Sequence, residues 1–272
     1  MATKVCLLNQ KGGVGKTSTC YHLGGTLARM GKRVLLVDND PQASLTQGFF
    51  GPEGTHAIPP LATIAAAFDP DAEPIAESLI QPTPIENLAI IPGSMALATY
   101  NMLPMNEWGR SQQGMREVLS ELDDAYDLIL IDCPPNLHLC SASALIAADA
   151  LVIPLQAEDF GAQGLGPVRS AMNAIQAGAN PGLSLAGYLV TMYDKRLGIH
   201  LAYEAKLREL FGAEVFTSPF PLAKDYKEAV AGRQPISHYR PKSAAAKSAK
   251  AVADELLARL DAIAMNQQDA DS

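Results

Sequence analysis

Largely apolar runs alternate with longer mixed or amphipathic stretches from one end of the chain to the other. The runs at 5–8, 34–37, 88–91, 128–131, 150–155, 185–192 and 215–220 read as strands covered on both faces, as parallel strands between helix layers are. Stretches 19–30, 199–211 and 243–263 read as helices, and in 111–122 Met115, Val118, Leu119 and Leu122 share one helical face. Between 51 and 104 prolines are frequent, and 61–68 and 72–80 look helical. No linker or repeat interrupts this alternation. It predicts one α/β domain over 1–264, a single doubly wound sheet of seven or eight mostly parallel strands with helices on both faces, and a short disordered acidic tail at 265–272.

Three strand ends carry candidate chemistry. The first strand runs into Asn9-Gln10-Lys11-Gly12-Gly13-Val14-Gly15-Lys16-Thr17-Ser18 and then a helix, the context a phosphate-binding loop requires. Glycines let the backbone curl so that its N–H groups face phosphate oxygens, and the helix start adds its own unpaired N–H groups. Lys16 is placed to meet the β- and γ-phosphates, and the Thr17 hydroxyl to ligate a Mg²⁺ bridging them. Gln10 stands where the usual first glycine would be, and Lys11 puts a second cation in the loop. Lys11 either points to solvent or reaches the phosphates of a second copy's nucleotide. The second strand ends in Asp38-Asn39-Asp40-Pro41-Gln42, and the run at 128–131 ends in Asp132-Cys133-Pro134-Pro135. Asp132 at such a position is suited to holding Mg²⁺, directly or through water, and Asp38 is a further possible metal neighbour or loop support.

Composition narrows the classes without choosing among them. With 48% apolar and 18% charged residues the chain is globular, and the apolar stretch 142–157 is broken by Asp149 and Pro154. The N-terminus shows no signal-peptide pattern, and the four cysteines have no C-x-x-C or metal spacing, so a reducing, cytoplasmic setting is expected. Net charge is −8, yet residues 224–250 carry seven cations against two acids. A local basic face on an acidic protein is compatible with a phosphate backbone.

The loop K-G-G-V-G-K-T resembles the deviant Walker A loop of the ParA/MinD family of P-loop ATPases, closest to its small Soj-like partition and positioning members. V-D-x-D-P-Q and I-D-C-P-P resemble that family's first and second switch segments, and the resemblance spans nearly the whole chain. It implies ATP and Mg²⁺ as ligands, Lys11, Lys16 and Asp40 as catalytic residues, and Asp40 as the group that polarises the attacking water. It also implies that Gly12, Gly13, Val14, Gly15, Thr17 and Ser18 cradle the phosphates. The segment 156–165 resembles one leading into a dimer-interface helix. In the family the strand and loop near 215–221 flank adenine, but Pro219-Phe220-Pro221 replaces the usual proline-arginine step. Lys195 or Arg196 matches a DNA-contacting position, and Arg233, Lys242, Lys247 and Lys250 are further candidates for phosphate contact.

The expected function is that of a ParA-type ATPase, slow without its partner. It forms an ATP-dependent homodimer, binds DNA without sequence preference, associates with the nucleoid in the ATP state, and is stimulated by a ParB-like or cargo-adaptor protein. The expected cargo is a plasmid, chromosome region or protein body. Two alternatives use the same loop. A MinD-like membrane site selector needs a basic amphipathic tail, whereas this chain ends in the acidic residues 267–272, so no stable membrane association is expected. A metabolic relative, such as an amide ligase or a reductase iron protein, is the other; the iron protein needs shared cluster cysteines.

Overall fold

The computed structural model describes residues 1–157 and 162–270, and the side chains of 1–157 and 165–268. Its strands are β1 (Thr3–Leu7), β2 (Val34–Asp38), β3 (Gln81–Pro82), β4 (Leu88–Ile91), β5 (Leu128–Asp132), β6 (Ala150–Gln156) and β7 (Ser184–Thr191). They form one sheet in the order β3-β4-β2-β5-β1-β6-β7, parallel except for the short edge strand β3. The helices are α1 (Lys16–Arg29), α2 (Ser44–His56), α3 (Leu97–Asn101), α4 (Ser111–Ser120), α5 (Leu139–Ala147), α6 (Ala162–Gln176), α7 (Gly198–Phe211), α8 (Lys224–Ala231), α9 (Ile236–Tyr239) and α10 (Ala244–Ala270).

The strand period of two splits the core into two layers. Leu128 and Leu130 of β5 join Cys20, Leu23 and Leu27 of α1 and Val252 and Leu256 of α10. Ile129 and Ile131, their neighbours in sequence, join Met115, Val118 and Leu119 of α4 and Leu145 of α5 on the other face. Both faces are therefore buried, which is why the strand runs lack polar alternation.

The register sets up the site. Leu7 of β1 and Asp38 of β2 both lie level with Asp132 of β5, so two carboxylates end adjacent strands beside the turn that leaves β1. Ligands of open parallel sheets bind at this carboxyl edge.

Three expectations change. The stretches 61–68 and 72–80 form 3₁₀ turns, at Pro60–Ala62, Ile64–Phe68 and Ala76–Leu79, not α-helices. Prolines at 59, 60, 70 and 74 remove the N–H groups a longer helix needs. In place of a strand over 215–220, residues 215–221 make only isolated bridges, Tyr188 to Val215 and Tyr193 to Pro221, because Pro219 and Pro221 cannot donate to a ladder. Finally, α10 continues through 265–270, past the domain end expected at 264. Residues 158–161 of the expected interface segment, and 271–272, lie outside the described residues.

Helix α1 carries a buried histidine that sets a pH dependence. His22 is wholly buried between the rings of Tyr21 and Tyr226, and its Nδ1 accepts the Ile236 N–H at 3.1 Å. Burial pushes its pKa from 6.5 down to about 3. Between those values the unfolded chain binds the proton and the folded chain does not, so stability is lost as pH falls below 6.5. The slope approaches about 1.4 kcal/mol per pH unit. Urea denaturation at neutral and mildly acid pH should show the wild type losing more stability than His22→Gln by roughly 1–2 kcal/mol. Equal losses would mean that folded His22 takes up its proton at the ordinary pH.

Candidate active site

The turn between β1 and α1 is built to present N–H groups. Gly13 and Gly15 have φ of 77° and 82°, a conformation that costs other residues but not glycine. Gly15 is the N-cap of α1, makes no side-chain capping bond, and the first turn holds no acidic residue. The helix therefore directs its own unfilled donors and the positive end of its dipole into the turn.

Long-range bonds fix this turn to the sheet. Asn9 Nδ2 donates to Pro154 O at 2.7 Å, and its Oδ1 accepts the Lys11 N–H at 3.0 Å. Thr191 at the end of β7 donates to Val14 O at 2.7 Å and Leu155 O at 3.1 Å. Gln156 Nε2 donates to Gly13 O at 3.0 Å and lies 2.9 Å from Met192 Sδ. A loop held at so many points keeps its donors aimed before any ligand arrives.

Lys16 is buried, and its ammonium donates to Lys11 O at 3.1 Å. Burial lowers its pKa, while Asp132, Cys133 and Asp40 nearby act in the opposite sense. Lys11, by contrast, is exposed on the turn, as are Gly12 and Gly13.

Asp132 is the most telling residue. It is 0% exposed, and neither carboxylate oxygen has a hydrogen-bond partner. Desolvation, followed by the charge of Asp38, pushes its pKa well above the usual carboxylate range. The Thr17 hydroxyl and Lys16 favour its charged form, although the hydroxyl falls short of a hydrogen bond. A buried carboxylate without partners demands a proton or a cation. With Thr17 beside it and phosphate donors across the turn, these residues fit a Mg²⁺ bound together with a nucleoside triphosphate.

Asp38 is placed differently, although it lies one strand away. Its Oδ2 accepts from both the N–H and the hydroxyl of Thr46, at 2.7 and 2.6 Å, and Oδ1 lies 3.4 Å from the Asp40 N–H. Burial raises its pKa to about 6 against the lowering effect of Thr46. Thr46 in turn accepts the Gly93 N–H at 2.9 Å, and a Cβ on Gly93 would come 2.6 Å from Asp38 O. Asp38 thus braces the loop that carries Asp40. The Asp40 carboxylate is half-buried and accepts the Gln42 N–H at 2.9 Å.

A cleft of roughly 140 Å³ continues from the phosphate turn, lined by Ser18, Thr19, Met192, Phe220, Pro221 and Tyr226 among others. Phe220 and Pro221 stand where the sequence places a base-flanking loop, and Pro219 is not among the lining residues. Met192 and Tyr226 carry no sequence signal of their own.

The candidate phosphate-backbone cations are dispersed. Lys247 and Lys250 share a cleft with Arg29 of α1, which sequence reasoning missed. Lys195 and Arg196 sit in the loop after β7, and Arg196 is held by Asp194 at 2.7 Å. Arg233 and Lys242 are exposed outside that cleft.

A glycine-rich turn between a parallel strand and a helix, with a buried lysine, a hydroxyl and a strand-end carboxylate around it, defines a P-loop nucleoside triphosphatase. Residues 2–185 match the sequence profile described as AAA domain. The chain is 36% identical to the chromosome-partitioning ATPase Soj of Treponema pallidum, over 95% of this chain and 98% of that protein. Soj of Thermus thermophilus is likewise 36% identical, over 94% of this chain and 96% of that protein. Cobyrinic acid a,c-diamide synthase of Mycobacterium smegmatis, solved with an ATP analogue and magnesium, matches with a TM-score of 0.80 at 29% identity over 96% of each chain. The chain belongs to the ParA/MinD family of P-loop ATPases. Among the described residues, no helix is long and apolar enough to cross a membrane.

Proposed function

We propose that the chain is a partition- or positioning-type ATPase that binds ATP with Mg²⁺, dimerises face to face in that state, and then holds DNA through its phosphates. The observation that carries the reading is the unpartnered, fully buried Asp132 carboxylate beside Thr17 and Lys16. The Soj relatives, which match along almost the whole chain, favour partition over the amide-forming chemistry named for the synthase.

In this reading the turn N–H groups and Lys16 bind the β- and γ-phosphates, and Thr17 and Asp132 hold the cation. The cation supplies charge neutralisation at the phosphates when bound. Asp40 orients and polarises the water that attacks the γ-phosphate, and Lys16 together with Lys11 from the second copy stabilises the charge on the transferred group. Asp38 keeps Asp40 in position through Thr46 and the loop. The exposed position of Lys11 suits reach across a dimer interface. A partner protein carried by the cargo stimulates hydrolysis and so releases the dimer from nucleoid DNA.

Asp40→Ala tests the assignment of the water-activating group. It should cut ATP hydrolysis by roughly 100-fold or more and leave an ATP-bound dimer that stays on DNA. Phosphate release and DNA retention are measured on the same preparation. Wild-type turnover in this variant would remove Asp40 from the mechanism.

A further inference from the structure

The base-side cleft and the cation-lined cleft share two walls. The first is α1: Ser18 and Thr19 near its start line the base-side cleft, while Thr26, Arg29 and Met30 near its end line the other. The second runs through one tyrosine. The Tyr226 ring lines the base-side cleft and packs against Phe220 with ring centroids 5.6 Å apart. Its hydroxyl donates to Ala245 O at 2.9 Å, in the first turn of α10. The next residue, Ala246, lines the cation cleft together with Lys247 and Lys250.

Tyr226 is held from behind as well. The His22 ring lies 4.8 Å from it, and His22 Nδ1 accepts the Ile236 N–H at the start of α9. Ser237, one residue on, lines the cation cleft too. A ligand pressing on the Tyr226 ring therefore acts on a side chain whose far end is bonded to the cation-bearing helix. Tyr226 is buried, so the ring has little room to yield alone.

We propose that Tyr226 is a positioning residue that couples occupancy of the base-side cleft to the placement of Lys247 and Lys250 at the start of α10. The proposal rests on the reading that the first cleft takes the nucleotide base and the second a DNA phosphate. A tyrosine linking the clefts at 2.9 Å gives the nucleotide a direct mechanical hold on the anion-binding surface. By reciprocity, DNA on that surface tightens nucleotide binding by the same factor.

Tyr226→Phe removes the bond and keeps the ring. Ala245 O lies in the first turn of a helix, where a helical N–H can still pair with it, so the loss need not unfold the protein. Two readouts are taken at saturating non-hydrolysable ATP analogue with Mg²⁺: amide exchange of residues 244–250, and affinity for a random-sequence duplex with and without the analogue. In the wild type the analogue should change exchange at 244–250 and raise DNA affinity at least tenfold. In Tyr226→Phe the exchange change should disappear and the affinity ratio fall to within twofold. Unchanged exchange at 244–250 in the wild type, or a full wild-type ratio in Tyr226→Phe, overturns the coupling. An exchange change present in the wild type and lost in Tyr226→Phe, with no DNA binding in any state, would uphold the coupling and sink the DNA reading instead.

Discussion

Asp132→Asn will make the nucleotide-free protein more stable and its Mg²⁺-dependent ATP hydrolysis at least roughly a hundredfold slower. The two effects share one cause. Both oxygens of Asp132 are buried without a partner, and burial together with Asp38 works against its charge. Replacing it with a neutral side chain of the same shape removes the charge penalty and forfeits no hydrogen bond, although the Asn amide stays buried without a partner and keeps part of the cost. Lys16 loses a favourable neighbour, which offsets part of the gain. A net stabilisation of about 1–3 kcal/mol corresponds to a rise of roughly 2–8 °C in a chain of this size. Calorimetry and phosphate release on one preparation check both halves. A lower midpoint would show that the carboxylate is satisfied in the nucleotide-free protein, and the metal-site argument would fail.

The second large effect separates the two lysines of the turn. Lys16 is buried against the loop and Lys11 is exposed on it, five residues earlier. Lys16→Ala removes a charge-assisted contact to phosphate inside the site. It should weaken ATP binding by roughly 30-fold or more, since such bonds contribute about 2–3 kcal/mol. Lys11→Ala should act on assembly, so that no ATP-dependent dimer forms at concentrations where the wild type is fully dimeric. Fluorescent-analogue titration and sedimentation velocity distinguish the two. Normal dimers in Lys11→Ala would remove the lysine from the partner's site.

How much of this was legible in the sequence follows the range of the interactions involved. The shape of the turn is local: the glycine spacing between Lys11 and Thr17 predicts it, and the φ angles of Gly13 and Gly15 agree with it. The place of Asp132 was legible because a buried parallel strand ends in it, and its pairing with β1 sets it beside the turn. The devices that fix the turn were not. Thr191 bonds to Val14 across 177 residues, and Asn9 to Pro154 across 145. A threonine or asparagine at a strand end has no local pattern that announces such a partner.

Asp38 shows the limit from another side. Its position beside Asp132 is read correctly from strand ends, but its hydrogen bonds to Thr46 depend on how α2 turns back over the loop. The base-side cleft was only half legible for the same reason. Phe220 and Pro221 stand out in sequence, whereas Tyr226 enters the cleft because α8 folds against α1 through His22. In the proline-rich region, residue-level helix patterns at 61–68 and 72–80 lost to missing backbone donors and shortened into 3₁₀ turns.

In the proposed function ATP switches this protein onto DNA. The most direct test is binding of the wild type to a random-sequence duplex with ATP, with ADP and without nucleotide, each at low and moderate salt. Binding is expected only with ATP and Mg²⁺, weakening steeply as salt rises because the proposed contacts are to phosphates. Equal binding in all three states, or none in any, would contradict it.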